Sequence, residues 1–176
     1  MATRPLTKDH VRLVERLGAV VYRWAFIEWL EGDFLAFLMN GDPGRMHLIS
    51  KSVSGSTITD WLRVLAPIQF THPETQERLA LLFTRINHAR AERNTLVHGL
   101  WTAGPTPDSA NVMTVKWERA ELMKTELVTE GDLDSLLTEI ADIHREIAWL
   151  GDKLGFHPLP PSLKRKKGVK KRPASP

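Results

Sequence analysis

Apolar residues recur along the first third of the chain at Leu13, Leu17, Val20, Trp24, Ile27, Leu35 and Leu38, a spacing of three and four that predicts a long helix from about Lys8 to Leu38. Thr7 stands where an N-cap is expected, with Asp9 and His10 in the first turn. Gly32 is expected to weaken or bend this helix late in its run. Asn40-Gly41-Asp42-Pro43-Gly44 then reads as a stop and turn. From Arg45 to Phe70 the pattern predicts one short helix and one longer one, divided by Ser-Gly-Ser near Gly55. Trp61, Leu62, Leu65 and Ile68 form the second apolar face, and Pro67 limits its length.

A further helix is predicted after His72, with Pro73 at its first position and Glu74 and Glu77 in its first turns. It ends at Gly99, read as a left-handed cap. The pattern changes over residues 100–128. Gly104-Pro105-Thr106-Pro107-Asp108 is a loop between Leu100-Trp101-Thr102 and the strand-forming Val112, Thr114 and Val115, before Trp117, and Glu126-Leu127-Val128 suits a third strand. The last helix opens at Thr129 or Asp132 and carries the stripe Leu133, Leu136, Leu137, Ile140, Ile143, Ile147 and Leu150 to about Leu154, with Gly151 and Gly155 at a fraying end. The predicted architecture is mainly all-α: a bundle of four or five helices with a small β-hairpin inserted before the last one. Residues 1–156 form this domain. Residues 157–176, rich in Pro, Lys and Arg, are expected to be a disordered basic tail.

Charge sharpens that division. The net charge is +3, yet the tail holds seven of the 24 Lys/Arg and none of the 21 Asp/Glu, so the rest of the chain is net acidic. An electrostatic case for RNA phosphates therefore applies to the tail, which could equally serve as a solubilising segment. The sequence has no cysteine, which removes disulfides, thiolate metal sites and cysteine nucleophiles. No stretch approaches the ~20 apolar residues of a membrane span, and MATRPLTKDH lacks the apolar core of a secretory signal. The expectation is a cytoplasmic protein without a membrane partner.

One local violation stands out. On a helical wheel, Ile86, Ala89, Arg93 and Leu96 all fall within about 40° of Leu82. A guanidinium on that apolar face needs partners, because an unpaired buried charge costs several kcal/mol. Glu31 lies inside the stripe of the first helix and Glu28 at its border; either could answer Arg93, and Glu28 is favoured. His98 follows Arg93 by five residues, about 140° around a regular helix. Asn94 and His98, four apart, share a face. Unwinding at Gly99 could swing the imidazole towards Arg93, and a second subunit could supply the missing face. Arg4 and His10 have a similar spacing but fall in a tail expected to fray.

Arg93-Asn94-Thr95-Leu96-Val97-His98 resembles the signature of the HEPN superfamily: an Arg, a following polar residue and a His four to six positions beyond the Arg. The order of elements over Lys8 to Leu154 is also similar. The resemblance implies a homodimer in which two motifs form one metal-independent ribonuclease site, without cofactor. His98 would be the general acid/base at the 2′-hydroxyl and the leaving oxygen, Arg93 would hold the scissile phosphate, and Asn94 would orient one or both. It implies RNA as the ligand and a role in toxin–antitoxin pairs or phage defence, with a partner protein as a further ligand. The residues leave open a non-catalytic module for oligomerisation or partner binding, with Arg93 a structural salt bridge and His98 capping the helix against Trp101. Glu74, Glu77, Arg78, Arg85, Arg90 and Glu92 read as an exposed charged face. His88 and Glu92 are four apart but have no second ligand pair, so no metal site is expected.

Overall fold

The computed structural model describes residues 5–115 and 123–156. The expectations for Arg4, Trp117 and the basic tail lie outside them. A single 3₁₀ turn, Lys8–His10, leads into α1 (Val11–Leu38), followed by α2 (Pro43–Ser52), α3 (Gly55–Gln69), α4 (Pro73–His98), strands β1 (Leu100–Ala103), β2 (Ser109–Val115) and β3 (Met123–Thr129), and α5 (Glu130–Leu154). The fold is thus mainly helical, with five helices among the described residues and a three-stranded antiparallel sheet, in the order β1-β2-β3, before the last. No helix among them is long and apolar enough to cross a membrane.

The caps follow from side-chain chemistry. Thr7 Oγ1 accepts from Asp9 N while Thr7 N donates to His10 Nδ1, so His10 is buried in a capping box and not frayed. Asp42 caps α2 by accepting from Arg45 N, Ser54 caps α3, and Thr129 and Asp132 form a capping box on α5. Asn40 takes the left-handed conformation (φ 48°) that turns the chain out of α1.

Four details depart from expectation. Gly32 lies within an unbroken α1, where a Cβ would come within 3.1 Å of Ser50 Oγ; it serves the close approach of α2. Pro67 lies inside α3, which continues to Gln69. Gly99 is extended (φ −76°, ψ 150°) and not left-handed. It is needed there because a Cβ would stand 2.3 Å from Val112 Cγ1, so the first strand leaves α4 hard against the sheet. The end of α5 is fixed: Gly155 caps it at φ 73°, and Phe156 N donates to Gly151 O at 2.8 Å. Phe156 then packs its ring on Phe34 and Phe37 at the far end of α1.

The core runs down the middle of the bundle. Trp24 and Ile27 of α1, Leu62 of α3, Phe83 of α4, and Ile140 and Ile143 of α5 are all essentially inaccessible. Trp101 pairs with Val112 across the first two strands, and its indole Nε1 donates to Leu96 O at 2.7 Å. The sheet thereby closes the C-terminal end of α4.

Candidate functional site

Two arginines of α4 fall on its apolar stripe. Arg90 and Arg93 are three residues apart, about 60° around the wheel. Their fates differ. Arg90 is buried, with Nη2 2.6 Å from Glu31 Oε2 and Nη1 donating to Thr59 Oγ1 at 2.9 Å and to Asn87 Oδ1. Thr59 donates in turn to Glu31 Oε1 at 2.5 Å, closing a triangle, and the guanidinium lies 5.5 Å over the Trp24 ring. Burial pushes the Glu31 carboxyl above its usual range, against the opposing pull of Arg90. A Cβ at Gly55 would stand 2.9 Å from Arg90 Nε, so the start of α3 is open to the guanidinium.

This corrects the expected pairing. The acid inside the α1 stripe, Glu31, belongs to Arg90, which the sequence placed on an exposed charged face. Glu28 is exposed and accepts from Trp24 Nε1 at 2.8 Å. The physical cause is the length of α3. This helix runs antiparallel to α4: Arg63 reaches Thr84, and Thr59 reaches Arg90. Gly55 begins α3 against Arg90, so Arg93, one turn further along α4, has passed the end of the covering helix.

Arg93 is accordingly only half-buried. Its Nη1 donates to Asn94 Oδ1 at 2.9 Å, its Nε is buried without a partner, and among the described residues it makes no ion pair. Asn94 and His98 are exposed. The helix remains regular through His98, so the expected unwinding does not occur. The imidazole and the Arg93 side chain therefore leave α4 about 140° apart. The capping role considered for His98 is taken by the Trp101 indole, which seals Leu96 O.

Beside the His98 face, an open groove of about 960 Å³ runs between α4, β3 and α5. Ala91, Thr95, Leu127 and Leu136 line it together with Glu92, Glu126 and Glu139, so its walls are apolar with acidic edges. His88 lies 3.6 Å from Glu92 on the same side. Elsewhere Glu74, Glu77, Arg78 and Glu92 of the expected charged face are exposed, and two of its arginines tie α4 to α5. Arg85 bonds Glu139 at 2.8 Å and Glu146 at 2.7 Å, and Arg78 bonds Glu146 while stacking 3.8 Å over Trp149.

The signal that could have found the buried pair was present. Arg90 follows Leu79, Phe83 and Ile86 at helical spacing, and Glu31 faces inward with Trp24 and Ile27. What the wheel alone did not supply was the level along α4 at which its cover ends.

No known protein family, curated protein or solved structure matches this chain. The functional reading accordingly stands on the residues themselves.

Proposed function

We propose that this chain is a HEPN-type, metal-independent ribonuclease in which Arg93 binds the scissile phosphate, Asn94 orients it and His98 moves the proton. One observation carries the reading: Arg93 holds an apolar-stripe position with no carboxylate partner among the described residues, while its neighbour Arg90 performs the structural duty that would otherwise explain it. A guanidinium held by Asn94 alone keeps donors for the two oxygens of a phosphate. His98, exposed at the end of the same helix, can take the proton of a ribose 2′-hydroxyl as that oxygen attacks phosphorus. A second imidazole, in its protonated form, gives a proton to the departing 5′-oxygen, leaving a cyclic phosphate and a 5′-hydroxyl. Because Arg93 and His98 diverge on one helix, the reading assembles the site from two copies of the chain, each contributing its own motif.

The test is cleavage of end-labelled RNA by the purified full chain in EDTA. Cleavage to 2′,3′-cyclic phosphate ends, lost in both His98→Ala and Arg93→Ala with unchanged melting temperatures, supports the reading. Intact RNA with the wild type, alone and with co-purified partners, overturns it.

The same divergence of Arg93 and His98 favours a second reading, a non-catalytic module for oligomerisation or partner binding on the same helices. Undiminished partner binding by His98→Ala, without RNA cleavage by either protein, would select it.

A further inference from the structure

Helices α1 and α5 lie side by side and run in the same direction. Arg16 of α1 meets Glu130 and Asp134 near the start of α5, and Leu30 and Phe34 line one small cleft with Ile147 and Leu150 towards its end. A step of seven residues, about two turns, returns each helix to nearly the same side. Arg23 therefore repeats the placement of Arg16, but the positions that repeat Glu130 and Asp134 are Leu137 and Ala141. Arg23 makes no ion pair among the described residues. The acids of α5 at this level are engaged elsewhere: Glu139 and Glu146 are bonded to arginines of α4, and Asp142 to Arg145.

An open groove of about 430 Å³ lies at Arg23 between the two helices, within the size range of small-molecule sites. Ile140 and Ala141 of α5 line it together with the rings of Tyr22 and Phe26 of α1, which pack edge-on with centroids 5.2 Å apart. Tyr22 is 66% exposed and Phe26 37%, so both rings offer uncovered surface. The charged lining is cationic: Arg23, His144 and Arg145. Arg145 is matched by Asp142, which leaves Arg23 as the uncompensated permanent charge. We propose that this groove binds a small aromatic carboxylate, whose two oxygens take the planar fork of Arg23 and whose ring lies against Tyr22, Phe26 and Ala141. The single charge selects a monoanion, and the apolar walls select a flat apolar body over a free inorganic anion. The groove on the other side of Tyr22 and Phe26, towards α2, is lined by Glu28 as well as Lys51 and lacks this excess of positive charge. The site uses neither Arg93 nor His98 and does not depend on the ribonuclease reading.

The test is equilibrium dialysis of 2-naphthoate against the full chain at neutral pH. Binding with a dissociation constant below about 1 mM is expected, and the uncharged 2-naphthalenemethanol should bind at least about tenfold more weakly. Arg23→Gln, and Ala141→Leu, which fills the groove from its floor, should each raise the constant about tenfold or more at unchanged helical content, while Lys51→Gln should leave it as it is. Absence of 2-naphthoate binding at about 1 mM, equal binding of the alcohol, or binding indifferent to Arg23→Gln or to Ala141→Leu overturns the proposal. Loss with Lys51→Gln in place of Arg23→Gln moves the anion to the α2 groove and overturns it too. Displacement of 2-naphthoate by a short single-stranded RNA at a lower concentration than its own assigns the groove to a nucleic-acid strand and equally overturns it.

Discussion

The Arg90 guanidinium meets the Glu31 carboxylate at 2.6 Å between α4 and α1, and Thr59 of α3 bonds to both. Three helices are thereby joined at one buried polar point. Such a pair adds little net stability over a well-packed apolar substitute, but removing one member strands the other's charge.

Arg90→Met should therefore cost about 3–5 kcal/mol of unfolding free energy, and Arg90→Met/Glu31→Leu should recover much of it. Arg93→Met, at a half-buried position without an ionic partner among the described residues, should cost under about 1 kcal/mol. Urea denaturation of the three variants checks the assignment; equal losses for Arg90 and Arg93 would contradict it.

Gly99→Ala places a methyl group against Val112 Cγ1 and Thr95 O. Relief requires the sheet to move away from α4, at a cost of about 1–3 kcal/mol. The expected fall in melting temperature is on the order of 2–4 °C per kcal/mol for a chain of this size. Val112→Ala in the same chain should lessen the added loss from the Gly99 change, since it removes the nearest atom.

Trp101→Phe keeps an aromatic ring in β1 but deletes the donor to Leu96 O. The expected loss is about 1 kcal/mol, the worth of one partly buried hydrogen bond. Amide exchange should quicken in the last turn of α4, and unchanged protection there would show that the indole does not hold that end.

Arg93→Lys retains the charge and loses the planar fork. If Arg93 clamps a phosphate, Lys should restore little of the cleavage lost in Arg93→Ala while leaving the fold intact. Full activity in Arg93→Lys would reduce the residue to a general source of positive charge.

Much of the fold was legible because its signals are local. Thr7, Pro73 and Thr129 mark helix starts through bonds to backbone only two or three residues away or through a fixed φ, and the structure uses each of them, whereas Asp42, read as part of a turn, caps α2 two residues before the expected start at Arg45. The hairpin of the first two strands was legible from the β-branched Val112, Thr114 and Val115 beyond a Gly-Pro loop, while the third strand, for which Glu126-Leu127-Val128 was a candidate, extends it to a three-stranded sheet. Gly99 was placed correctly and explained wrongly, because its reason is a side chain thirteen residues later that comes against it only in the folded sheet. The site was legible in part. Wheel positions of Arg93 and Glu31 identified polar residues on apolar faces, but partner choice depends on how far a third helix reaches, which periodicity within α4 does not encode.

The Ser54 cap sets where α3 starts, and that starting point sorts two like side chains into different employment. Extend α3 backwards by a single turn and Arg93 too would be roofed over and would demand its own acid. A chain that shortens or lengthens this one helix can thus expose or withdraw a cation without touching the residue that bears it.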